Sequence, residues 1–136
     1  MVENDFRTLF NKWVANQKGS FINCFFELKL INTTRKKSIN VERDFKQHQL
    51  PQLHQIKHEG LTYTISNQSF GKKPFDCMKI QGTGYVVILY WKPRKPKVFH
   101  MVDIDDWYTM MDEHYPETNF REEVVRTYTQ HTYTLP

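Results

Sequence analysis

The sequence predicts a single α+β domain with a central mixed sheet of about five strands and helices packed against it. Three observations carry this expectation. Two segments repeat apolar residues at helical spacing, around Phe6–Val14 and Leu50–Ile56; several others alternate or run apolar as strands do; and no repeat, low-complexity tract or Gly/Ser linker divides the 136 residues. A chain of this length has room for one domain with a core that needs no disulfide or structural metal.

Taken in order, Phe6, Leu9, Phe10, Trp13 and Val14, with Gly19 behind them as a stop, predict an amphipathic helix over residues 3–17. Residues 20–31, rich in aromatic and branched side chains, read as a strand, followed by a polar run from Asn32 to Asn40. Phe45, Leu50, Leu53 and Ile56 predict a second helix; Pro51 is tolerated only near its first turn, so it starts close to His48. Strands are expected at residues 61–66, 75–80 and 84–91, with Gln81-Gly82-Thr83-Gly84 turning the last two into a hairpin. After the loop from Lys92 to Pro96, residues 97–104 read as another strand, and Asp105 as the N-cap of a helix reaching His114. Residues 116–136 show weak periodicity and are expected to extend a core spanning about 3–115.

Lys and Arg number 19 against 15 Asp and Glu, a net charge of +4 that favours polyanionic partners over acidic ones. Cys24 and Cys77 lie in apolar strand-like runs, which predicts free thiols and a reducing compartment, the alternative being a disulfide between them. No stretch approaches the roughly 18 apolar residues of a membrane span, and the N-terminal residues carry Glu3 and Asp5, so a soluble cytoplasmic protein with no membrane partner is expected.

In Phe25-Phe26-Glu27-Leu28-Lys29-Leu30 the strand period of two puts Glu27 and Lys29 on one face and Phe26, Leu28 and Leu30 on the other. A carboxylate and an ammonium set among apolar residues either pair with each other or hold a metal. Asp76 stands inside another strand, where Asp is depleted; it either accepts backbone hydrogen bonds or serves as a second ligand. Gln49, at the start of the second helix, is either solvated or placed to bond a water or phosphate.

The ordered runs Phe26-Glu27-Leu28-Lys29, His48-Gln49-Leu50-Pro51-Gln52-Leu53, Lys73-Pro74-Phe75-Asp76-Cys77 and Gly84-Tyr85-Val86-Val87-Ile88 resemble the PD-(D/E)XK nuclease superfamily, and within it the Holliday junction resolvase-like proteins. The likeness covers roughly residues 3–104. It implies a restriction-endonuclease-like fold and a DNA endonuclease dependent on Mg²⁺ or Mn²⁺. By the same resemblance, Glu27, Asp76, the backbone carbonyl of Leu28 and Glu3 are the metal ligands. Lys29 would orient the attacking water, with Gln49 in support. The usual motif aspartate precedes the E-x-K strand, whereas the only candidate there is Asn23. The resemblance therefore implies a permuted site, in which a later strand lies beside the Glu27 strand and returns Asp76. A homodimer acting on branched or duplex DNA is the corresponding expectation.

Arg35, Lys36 and Lys37 follow the Glu27 strand, Arg94 and Lys95 sit in a second basic loop, and Lys72 and Lys73 precede Asp76. All are candidates for gripping DNA phosphates, the alternative being solvated loop charge. His54 and His58, one helical turn apart, offer two zinc ligands with no third at an orthodox spacing. Trp91 and Trp107 read as core or edge aromatics, the alternative being base-stacking platforms. Two rival functions follow: a catalytically inactive nucleic-acid-binding module of the same fold, and a zinc-bound regulatory protein.

Overall fold

A computed structural model of the chain describes the backbone of residues 1–66 and 74–136 and the side chains of residues 1–62 and 79–136. Among the described residues four helices and eight strands follow in the order α1 (Glu3–Ala15), β1 (Cys24–Asn32), β2 (Ser38–Asn40), α2 (Gln49–His58), β3 (Leu61–Ser66), β4 (Pro74–Ile80), β5 (Thr83–Trp91), β6 (Lys97–Asp103), α3 (Ile104–Glu113), β7 (Asn119–Arg121), α4 (Glu122–Thr127) and β8 (His131–Leu135). The α+β class holds. The central sheet has four strands rather than about five, ordered β1-β5-β6-β8, and two-stranded ribbons pair β2 with β7 and β3 with β4.

β1 runs parallel to β5, Glu27 opposite Val86 and Lys29 opposite Ile88, while β6 and β8 continue antiparallel. Alternation along β5 divides the core. Val87 and Leu89 join Leu28, Phe99 and Met101 under Phe6 and Phe10 of α1, whereas Val86, Ile88 and Tyr90 join Leu50 and Leu53 of α2 and Trp107 and Met110 of α3. Helices therefore cover both faces, so the central strands are apolar on both sides.

Several boundaries move for identifiable reasons. α1 stops at Ala15, because Lys18 (φ 51°) and Gly19 (φ 82°) turn the chain into the left-handed region. Asn23 (φ 57°) delays β1 to Cys24. The N-cap of α3 is Asp103, not Asp105: its carboxylate accepts the Asp105 backbone N–H at 2.9 Å.

The expected hairpin between residues 75–80 and 84–91 does not form. β4 pairs with β3, and β5 pairs with β1 and β6. The glycines between them serve close approach instead. A Cβ on Gly82 would lie 1.8 Å from the Asn23 carbonyl oxygen, and one on Gly84 would lie 2.9 Å from that of Leu53. The last twenty residues supply β7, α4 and β8, with Phe120, Val125 and Leu135 buried in the two cores.

Candidate functional site

The face of β1 that carries Glu27 and Lys29 looks towards α2, whose first residue is Gln49. The Lys46 backbone N–H donates to Gln49 Oε1 at 2.8 Å, which fixes that side chain at the helix start. Lys29 Nζ donates to the same oxygen at 3.1 Å, lies 3.5 Å from Glu27 Oε1, and sits 5.0 Å from the centre of the Phe45 ring. With side chains only 13% and 24% exposed, Lys29 and Glu27 form a partly desolvated pair rather than a solvated one. Gln49 Oε1 is occupied twice, so its Nε2 amide is the part left to donate.

Glu27 and Gln49 line a cleft of about 240 Å³ together with Phe25, Gln52, Leu53 and Leu61. Glu27 also borders a second cavity of about 280 Å³, shared with Arg7 and Asn11 of α1. Its carboxylate thus stands between two openings, one under each covering helix.

The other predicted residues are placed as follows. Leu28 is buried on the opposite face, against α1. Glu3 is exposed in the first turn of α1, and the α1 side chains that share a cavity with Glu27 are Arg7 and Asn11. Asp76 lies on β4 opposite Ile65, with its side chain, like that of Cys77, outside the described residues. The strand beside β1 is β5, which presents Val86 and Ile88 at the level of the charged pair. Lys72 and Lys73 also fall outside the described residues. Cys24 carries a free, half-buried thiol, pushed up from its ordinary pKa by burial.

The basic loops after β1 and β5 are neighbours, since those strands are parallel and end in register at Asn32 and Trp91. Thr33 ties them: its N–H and Oγ1 donate to the Trp91 carbonyl at 3.0 and 2.7 Å. Arg35, Lys37, Arg94 and Lys95 are exposed there, while Lys36 is held by Asp44 at 2.5 Å. Five residues of strand at about 3.3 Å each separate Glu27 from this basic end, roughly 16 Å.

Two further clusters go beyond the sequence reading, which had His54 and His58 as a pair but not their third member, and did not have His100 and Glu122. Asp105 reaches across from α3 to His58, Oδ1 to Nε2 at 2.7 Å; among the described residues, His54, His58 and Asp105 are the one group of three such side chains with ligand atoms within 4.8 Å of one another. Sequence spacing could not reveal the third member, 47 residues beyond His58. On β6, His100 is buried, its Nε2 2.9 Å from Glu122 Oε2 and its Nδ1 3.1 Å from Thr132 Oγ1. Glu122 also accepts from Lys92 at 2.9 Å. A polar residue in the apolar run Val98–Val102 was the only signal.

Trp107 is fully buried, with Phe45 beside it at 5.5 Å between ring centres, and Trp91 is half-buried at the end of β5, both packing as core aromatics. No helix among the described residues is long and apolar enough to cross a membrane. Comparison of the chain with protein-family models, with curated proteins and with solved structures returns no match.

Proposed function

We propose that the chain is a metal-dependent DNA endonuclease whose site centres on Glu27, Lys29 and Gln49. The observation that carries this reading is the convergence of the three. Lys29 Nζ bridges Glu27 of its own strand and Gln49 of α2, twenty residues away, and these two partners line an open cleft. Burying the Lys29 ammonium, 13% exposed and set against the Phe45 ring, costs free energy that a surface ion pair scarcely offsets. A Gln49 amide at the cleft, with the Lys29 ammonium held directly behind it, is suited to a phosphate group.

The residues present suit Mg²⁺ or Mn²⁺, since such ions use one or two carboxylates plus substrate phosphate and keep several waters. Glu27 would hold the ion, with Asp76, the Leu28 carbonyl and Glu3 as the further ligands proposed. When bound, the ion supplies polarisation of the phosphate and a water of lowered pKa. Lys29 offsets the negative charge that develops on the phosphoryl oxygens. The Gln49 Nε2 amide orients a water or a phosphate oxygen, and Arg35, Lys37, Arg94 and Lys95 grip the DNA backbone without reading sequence.

The resolvase form of this reading adds a two-fold homodimer, because two symmetric strands of a junction are nicked. A second reading, a binding module of the same fold without catalysis, is favoured by one observation. β5 sets only Val86 and Ile88 beside Glu27 and Lys29, so the adjoining strand brings no second carboxylate there.

The test is incubation with four-way-junction, duplex and single-stranded DNA, in Mg²⁺, in Mn²⁺ and in chelator. Metal-dependent cleavage that is lost in Glu27→Ala, Lys29→Ala and Asp76→Ala supports the nuclease. Binding of DNA without cleavage under any condition supports the inactive module. Cleavage undiminished in Glu27→Ala rejects this site.

A further inference from the structure

We propose that His54, His58 and Asp105 form a binding site for a divalent transition-metal ion of Zn²⁺ character that joins α2 to α3. His54 and His58 stand four residues apart on α2, so both imidazoles project from one face, with ring centres 4.4 Å apart. Asp105 approaches from the first turn of α3. All three ligand atoms lie within 4.8 Å of one another. Tetrahedral zinc, with bonds of about 2.0–2.1 Å, needs its ligand atoms roughly 3.4 Å apart. Both histidines are exposed, so small side-chain rotations can close the remaining distance.

The surroundings prepare the carboxylate for this role. Lys57 Nζ holds Asp105 Oδ2 at 2.6 Å and is itself anchored by Asp103 Oδ1 at 2.8 Å, which leaves Asp105 Oδ1 directed at His58. A ligating carboxylate whose second oxygen is hydrogen-bonded in this way is oriented before the ion arrives. The Lys57 charge is shared between two carboxylates and so opposes the incoming ion only weakly. Tyr108 packs edge-on against His54, ring centres 5.6 Å apart, and steadies that ring. Two of the three ligands, His54 and Asp105, open with Pro51, Tyr108 and Asp112 onto a cavity of about 380 Å³, which has room for a water as fourth ligand.

Two imidazole nitrogens and one carboxylate oxygen select Zn²⁺, Co²⁺ or Ni²⁺ over Mg²⁺ and Ca²⁺, whose ligands are oxygens. The site lies at the far end of α2 from Gln49, and its occupancy is independent of the nuclease reading.

The metal-stripped full chain is titrated with Zn²⁺ by calorimetry, with Co²⁺ by visible absorbance, and with Mg²⁺ as control. One Zn²⁺ per chain with micromolar or tighter affinity is expected, together with a Co²⁺ spectrum of tetrahedral type. At about 100 times its dissociation constant, Zn²⁺ should raise Tm by about 5–10 °C. His54→Ala and His58→Ala should each weaken binding at least tenfold, whereas His114→Ala, at an exposed histidine elsewhere, should leave it unchanged. The variants sit at exposed positions, and far-UV circular dichroism reports whether each is folded. Absence of saturable Zn²⁺ binding, or equal affinity in His58→Ala, would overturn the proposal and leave an ion-pair network only.

Discussion

Replacing Lys29 by Met keeps most of the buried stem and removes only the ammonium, which isolates what that charge does. Lys29 donates one hydrogen bond to Gln49 at 3.1 Å and lies 3.5 Å from the Glu27 carboxylate. A hydrogen bond from a charged donor contributes about 1.5–3 kcal/mol. The ion pair has a gross attraction of about 5 kcal/mol at an effective dielectric of about 20. Desolvation and side-chain ordering offset most of that, leaving about 1 kcal/mol net. Lys29→Met should therefore cost about 2.5–4 kcal/mol, a fall in Tm of about 8–16 °C for a chain of this size. Part of the cost is the half-buried Glu27 left without a partner. In a Glu27→Gln background the same substitution should cost about 1 kcal/mol less. Urea denaturation of the four proteins, followed by circular dichroism, measures this coupling. Additive effects, within about 0.3 kcal/mol, would refute the claim that the two groups act as a desolvated pair.

Three other outcomes are expected. Gly82→Ala, whose Cβ would sit 1.8 Å from the Asn23 oxygen, must push apart the start of the β1–β5 pairing and should lose about 3 kcal/mol or more in urea denaturation; a loss below about 1 kcal/mol would show that the contact relaxes easily. Burial raises the Glu122 carboxyl, but hydrogen bonds from His100 and Lys92 outweigh it and hold it below its ordinary value of 4.5. Its stabilising contribution is thus complete above that value and disappears as pH falls through the lower folded-state value, so Glu122→Gln should flatten the acid limb of a Tm-against-pH curve. If the two loops at the ends of β1 and β5 form the DNA-binding surface, the double variant Arg35→Glu/Arg94→Glu should weaken duplex binding at least tenfold and lower its salt dependence, as read by fluorescence anisotropy; unchanged affinity would remove these loops from the interface.

Much of this architecture was legible before any coordinates. The apolar spacing of α1 and α2, the two-residue period of β1 and the apolar run of β5 are local properties of covalent geometry, so each element announces itself. The same period put Glu27 and Lys29 on one face, and the helix signal placed Gln49 at the beginning of α2; that these three meet was an inference that only packing could complete. The direction α2 takes across β1 brings them together, through contacts of Leu50 and Leu53 with Val86 and Ile88.

Strand pairing is different, because it is decided by burial and chain closure between distant segments rather than by neighbours in sequence. Gly82 and Gly84 look like turn residues, yet they are small so that the backbones of Asn23 and Leu53 can come close. Reading them as a hairpin joined β4 to β5, whereas β5 lies between β1 and β6 and β4 pairs with β3. Asp103 and Asp105 are equally good N-caps by residue type; the capping bond to Asp103 leaves Asp105 to Lys57 and His58. Residues 116–136 lack a strong period because β7, α4 and β8 are short, and Phe120, Val125 and Leu135 each bury singly. The sequence by itself thus determined the three longer helices and the longer strands and which faces their side chains take, since propensity and periodicity are local, but not the short β2, β7, α4 and β8. Tertiary structure alone decided which elements are neighbours, and with them the pairing of β1 with β5, the joining of the two basic loops and the arrival of Asp105 at His58, since contacts between distant segments leave no periodic trace in either one.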